Sequence, residues 1–114
     1  MKIQSANQGD IQVLELSGEL DYHSSPELRE KLTELTTKQA PKILVDLSGV
    51  DYMDSSGIAT FVEAFQKAKR YQGRLVLAAL TATVRGVFEI AKLDSIFEIT
   101  ATVPEAVACL GAKT

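Results

Sequence analysis

At 114 residues with 46% hydrophobic content, the chain is long enough to bury one core and too short for two, so a single domain over 1–114 is expected. Twelve Lys and Arg against fifteen Asp and Glu give a formal net charge of -3, which leaves no basic footprint for a phosphate backbone and argues against nucleic acid as a partner. A lone cysteine, Cys109, and a lone histidine, His23, exclude an intramolecular disulfide and a Cys/His metal site, so neither metal nor other cofactor is expected.

The first seven residues, Met1 to Asn7, lack an apolar signal core, and no run approaches the roughly 20 apolar residues that span a bilayer. A cytoplasmic protein without membrane insertion is expected. Residues 2 to 7 and 11 to 17 are strand-compatible and flank the turn formers Gly9 and Asp10, which predicts a hairpin. Gly18 to His23 reads as a loop, and Ser24-x-x-Glu27 with Pro26 reads as a capping box that starts a helix. Leu28, Leu32 and Leu35 make its apolar stripe, Arg29, Glu30, Lys31 and Glu34 its wet side, and Pro41 its end.

Ile43 to Leu47 is a nearly continuous apolar run, as in a strand central in a sheet, with Asp46 as its exception. The turn-like Ser48-Gly49 and the stretch Val50 to Met53 lead to Asp54-Ser55-Ser56-Gly57 and a second amphipathic helix reaching about Tyr71. Ile58, Phe61, Val62, Phe65 and Ala68 form its buried stripe and Gly73 ends it. Arg74 to Leu80 is a further strand, Thr83 to Lys92 a short helix and Phe97 to Thr100 a last strand. Thr102-x-x-Glu105 with Pro104 caps a C-terminal helix ending near Gly111. A hairpin followed by alternating helices and strands predicts an α/β domain with a mixed β-sheet flanked by helices.

The informative stretch is Asp51-Tyr52-Met53-Asp54-Ser55-Ser56-Gly57, because it places two hydroxyls where the chain enters a helix. First-turn amides have no intrahelical partner and the helix dipole adds partial positive charge, so a carboxylate or a phosphate is stabilised there. Asp54 alone, as an N-cap, accounts for that much. Gly57 costs a helix about 1 kcal/mol relative to alanine, so something approaches it closely: a partner enzyme reaching Ser55, or the sheet beneath.

Two segments resemble the STAS family, in particular its stand-alone anti-sigma factor antagonists. One is Leu16-Ser17-Gly18-Glu19-Leu20-Asp21; the other, more specific, is Ile43 to Ile58 with its complete Asp54-Ser55-Ser56-Gly57 tetrad. The resemblance implies a STAS-like fold and a cycle in which an anti-sigma factor serine kinase phosphorylates the antagonist and a serine phosphatase restores it. It places the phosphoacceptor at Ser55, with Asp54, Ser56 and Gly57 completing the switch motif. The unphosphorylated form would hold the kinase and free a sigma factor. Asp21 and His23 would lie beside the switch as partner-binding residues, although an exposed loop histidine needs no such role.

Other classes fit less well. A hydrolase would use Ser55 as nucleophile, but the stretch lacks the first glycine of a Gly-x-Ser-x-Gly elbow and His23 would have to serve as base. A receiver domain would use Asp46, yet the acidic pair after the first strand is missing. Within the fold, a STAS subunit of a lipid-transport ABC complex or of a signalling scaffold remains open. Cys109 in its apolar helix reads as a buried, inert thiol, Phe61 and Phe65 as core, and Lys67, Lys69 and Arg70 as a solvated basic face. The sequence carries no signal for an oligomeric state.

Overall fold

In the computed structural model, whose described residues are 1–111, the chain opens with the expected hairpin. β1 (Lys2–Gln8) and β2 (Ile11–Leu20) pair antiparallel around Gly9, which takes a left-handed φ of 62°. Residues 112–114, the tail of the expected 1–114 domain, lie outside the described residues. Helix α1 (Ser25–Thr37), β3 (Lys42–Met53), α2 (Ser55–Arg70), β4 (Arg74–Ala78), α3 (Ala82–Ile90), β5 (Glu98–Thr100) and α4 (Val103–Leu110) follow.

Spatial order equals sequence order, β1-β2-β3-β4-β5, and every pair after the hairpin is parallel. Right-handed crossovers that always step in one direction must lie on one face of the sheet. Accordingly α1, α2 and α3 share the larger core with Leu14, Leu16, Val45 and Leu77, while α4 returns over the other face against Ile11, Leu44 and Val76. Central β3 is covered on both sides, which is why Ile43, Leu44, Val45 and Leu47 are all fully buried and why its apolar run does not alternate.

The periodic residues behave as their spacing predicts. Leu28, Leu32 and Leu35 are buried on α1; on α2 Phe61 and Ala68 are buried and Ile58, Val62 and Phe65 half-buried. Phe61 packs on Phe88 and Phe65 on Phe97, with ring centroids 6.3 and 5.0 Å apart, so both are core. Lys67 bonds Glu63 and Thr33, and Lys69 lies over the Phe65 ring, so the basic face is partly paired.

Four local expectations are corrected. Gly18 to Leu20 and Ser48-Gly49 are strand, because the ends of β2 and β3 pair with each other (Ser17 with Gly49, Leu20 with Met53), with register shifts beside the turn formers. Ser24 makes no capping bond to α1; its hydroxyl donates to Glu19 C=O at 2.7 Å and accepts from Asp21 N–H at 2.9 Å. β4 stops at Ala78, since Ala79 turns left-handed with φ 59°. Cys109 is exposed rather than buried: it sits on the outer side of α4, where Arg74 Nη2 lies 3.1 Å from its Sγ. The cap of α4 forms as expected, with Thr102 Oγ1 accepting from Glu105 N–H at 3.2 Å.

Candidate functional site

The paired ends of β2 and β3 bring the two informative segments together. Leu20 lies opposite Met53, and Asp54 N–H donates to Leu20 C=O at 3.2 Å before the two chains diverge into α1 and α2. This is the carboxyl edge of parallel strands, where open α/β sheets carry their sites.

Asp54 adopts an extended backbone (φ -109°, ψ -172°) and caps α2: its Oδ1 accepts from Ser56 N–H at 2.9 Å and its C=O from Gly57 and Ile58 N–H. Its second oxygen does something the sequence did not disclose. Oδ2 accepts from Tyr22 N–H at 3.2 Å, across 32 residues of chain, and so ties the loop after β2 to the start of α2. Asp54→Ala should remove about 1–2 kcal/mol of stability and speed hydrogen exchange at the Tyr22 amide, whereas Asp54→Asn, with one acceptor oxygen in place of two, should keep the cap on Ser56 and still lose the Tyr22 bond. Thermal unfolding and amide exchange measure the two effects separately; an unchanged Tyr22 amide would break the proposed tie.

With Asp54 serving the second amide and the Asp54 carbonyl the next two, only Ser55 N–H of the first turn has no acceptor. The Ser55 side chain is exposed, and among the described residues its hydroxyl has no hydrogen-bond partner. Ser56 is half-buried and its C=O accepts from Thr60 Oγ1 at 2.8 Å. Of the two serines, Ser55 is therefore the accessible one at the helix start. It borders a shallow groove between α1 and α2, with Ser56 and Ala59 on one wall and Tyr22, Ser25, Pro26 and Arg29 on the other.

Gly57 is decided by packing. A Cβ at that position would come 2.6 Å from Met53 Cγ and 2.9 Å from Leu20 Cγ and Cδ2, so the first turn of α2 rests directly on the ends of β2 and β3. Close approach of the sheet beneath accounts for the glycine fully.

Asp21 shapes its own loop. Its Oδ1 accepts from His23 N–H at 2.9 Å and Ser24 N–H at 3.0 Å, and its C=O accepts from Ser25 N–H and Oγ. The backbone bond from Ser24 is the main cause holding its carboxyl below the ordinary value, against a smaller opposing effect of desolvation. A depressed folded pKa means the contribution is present above the ordinary carboxylate range and lost as pH falls through the lower folded value. The His23 and Ser24 amides should accordingly lose protection only at pH below 3.8, Asp21's ordinary value, which a pH series of amide spectra reads. Loss already at higher pH would contradict the bonded geometry.

His23 is exposed, with its ring edge-on to that of Tyr22 at 5.8 Å between centroids. Tyr22 is itself 74% exposed and forms part of the groove wall. Neither Tyr22 nor Arg29 stood out in the sequence, one being a loop residue and the other assigned to the wet side of α1. An exposed aromatic three residues from a helix start was the signal available for the first.

A mixed sheet with three crossover helices on one face and a free hydroxyl where β3 passes into α2 defines a class of small α/β domain. The chain belongs to the STAS domain family, whose model matches residues 2–106. It is 40% identical over 95 residues to an anti-sigma-B factor antagonist of Bacillus subtilis (strain 168), covering 83% of this chain and 85% of the relative. An anti-sigma-B factor antagonist of Listeria monocytogenes is 37% identical over 84 residues, 74% of each chain. Among solved structures, an anti-sigma factor antagonist from Mycobacterium paratuberculosis shares the fold with a TM-score of 0.88 at 21% identity, covering 96% of this chain and 92% of its own. The Bacillus cell fate determinant SpoIIAA in its phosphorylated form superposes with a TM-score of 0.76 at 26% identity, covering 96% and 99%. Among the described residues no helix is long and apolar enough to cross a membrane.

Proposed function

We propose that the chain is an anti-sigma factor antagonist, a cytoplasmic binding module without catalytic activity, switched by phosphorylation of Ser55. The unphosphorylated form holds an anti-sigma factor serine kinase and thereby frees a sigma factor; transfer of a phosphoryl group to Ser55 Oγ releases the kinase, and a serine phosphatase resets the cycle. The observation that carries this is the exposed, unpartnered Ser55 hydroxyl beside the free first amide of α2. The relatives named anti-sigma-B factor antagonists and the phosphorylated SpoIIAA structure support it. Asp54 and Gly57 set the position of that hydroxyl, and Tyr22 and His23 form the adjoining surface.

The site can carry the modification without refolding. A phosphoryl group adds roughly -1.5 to -2 charge near neutral pH, at a helix terminus whose dipole favours it. A partner fitted closely to this edge meets new bulk and charge while the fold beneath keeps its bonds.

Affinity purification from native lysate, comparing wild type with Ser55→Asp, tests the assignment. An anti-sigma serine kinase retained by wild type and lost with Ser55→Asp is the expected result. Recovery of ABC-transporter subunits or a large signalling scaffold instead would overturn it.

A further inference from the structure

Helices α1 and α2 run side by side in a constant register: Arg29 Nε meets Glu63 Oε2 at 3.0 Å, and one turn further Thr33 Oγ1 meets Lys67 Nζ at 3.4 Å with the same sequence offset. The groove between the helices therefore leads from the Arg29–Glu63 pair back to the start of α2. Arg29 is the only charged side chain among the described residues that line it, and it shares that lining with Ser55.

The ion pair is built so that Arg29 can leave it. Glu63 holds a second cation, Lys67, through its other oxygen at 3.0 Å, and the bond from Lys67 is the leading cause of its lowered carboxyl pKa. Arg29 meets Glu63 through Nε, and neither of its terminal nitrogens makes a hydrogen bond among the described residues. A planar guanidinium whose terminal nitrogens donate no hydrogen bond is the side chain best suited to a phosphoryl group, and a pair this exposed is weak enough to exchange.

We propose that Arg29 is the internal counter-charge of a phosphoryl group on Ser55: once Ser55 is modified, Arg29 leaves Glu63 to Lys67 and turns its guanidinium along the groove toward the phosphate. This rests on Ser55 as the phosphoacceptor. Its consequence is that phosphorylation fills the groove as well as charging its rim, since the turned side chain lies between Pro26 and Ala59. Refusal of a partner then has a steric component from α1 in addition to the charge on α2.

The test uses the full chain with phosphoserine installed at position 55 during translation, so that no kinase is needed. The second ionisation of the phosphoryl group, near 6 in the absence of neighbours, is followed by phosphorus NMR. A cation drawn to about 4 Å in water should lower that pKa by on the order of 0.7, so Arg29→Gln should titrate that much higher than wild type, with the gap closing in high salt. Glu63→Gln, which frees Arg29 completely, should titrate lower. Lys38→Gln, at the C-cap of α1 and 71% exposed, should titrate with wild type and exclude a general loss of charge. Coincident titrations of wild type and Arg29→Gln would overturn the assignment, and should Arg29→Gln fail to fold, coincidence of wild type and Glu63→Gln would do the same. Failure of Ser55 as the natural acceptor shows elsewhere, as kinase binding indifferent to Ser55→Asp.

Discussion

Gly57→Ala should lower stability by about 2 kcal/mol and the thermal midpoint by roughly 8 °C, although alanine is the better helix former by about 1 kcal/mol. The added methyl would stand 2.6 Å from Met53 Cγ and 2.9 Å from two atoms of Leu20. Both neighbours are buried, at 2% and 0% exposure, so neither can swing into solvent to make room. Overpacking of this kind typically costs 1–3 kcal/mol, enough to reverse the helix-propensity gain. Relief is available only by lifting the first turn of α2 off the strands, which would also strain the Asp54 bonds to Ser56 and Tyr22 and carry Ser55 away from its place. Gly86 supplies the internal comparison. It lies within α3 with nothing inside 4 Å of a Cβ, so Gly86→Ala should stabilise by up to about 1 kcal/mol. Paired unfolding curves decide the matter: if Gly57→Ala stabilises as Gly86→Ala does, the turn is not seated on the strands as described.

The same glycine shows where sequence stops informing. Its cost to a helix is legible, but whether a partner or the sheet requires it depends on Leu20 and Met53, which come near it only when β2 and β3 pair. Local signals were sufficient where the deciding contacts are local: the leucine stripe of α1, the uninterrupted apolar run of β3, the caps Asp54 and Thr102. They failed where a long-range partner competes. Gly18 and Ser48-Gly49 carry turn chemistry, yet Gly18 pairs with Val50 and Gly49 with Ser17, and the strands take up the mismatch as register shifts beside them. Ser24 carries cap chemistry, yet its hydroxyl goes to Glu19 and Asp21, while the Asp21 carbonyl accepts from Ser25 at the start of α1. Cys109 lies in an apolar stretch, but α4 covers the sheet with one side only and leaves the thiol outside beside Arg74. At the site, the tetrad identified the helix start, whereas the Asp54 tie to Tyr22 and the Arg29 wall of the groove required the tertiary fold.

Ser55→Asp should leave the thermal midpoint unchanged or slightly raised while weakening kinase binding at least about 100-fold. The first half follows from the exposed hydroxyl, which has no partner to lose, and from the helix dipole, which favours a carboxylate in the first turn by about 0.3–1 kcal/mol. The second follows from the proposed contact surface, because a charge forced against a closely fitted or acidic partner costs several kcal/mol, and each 1.4 kcal/mol is tenfold in affinity. Ser55→Asn has nearly the same size and no charge, so it separates the two causes. Loss with Asp alone, recovering in high salt, assigns the switch to electrostatics; equal loss with Asn assigns it to fit at the groove. Ser55→Ala should bind as wild type does and no longer respond to the kinase. Undiminished binding by Ser55→Asp would remove Ser55 from the interface, and with it the phosphorylation switch, whatever the identity of the partner.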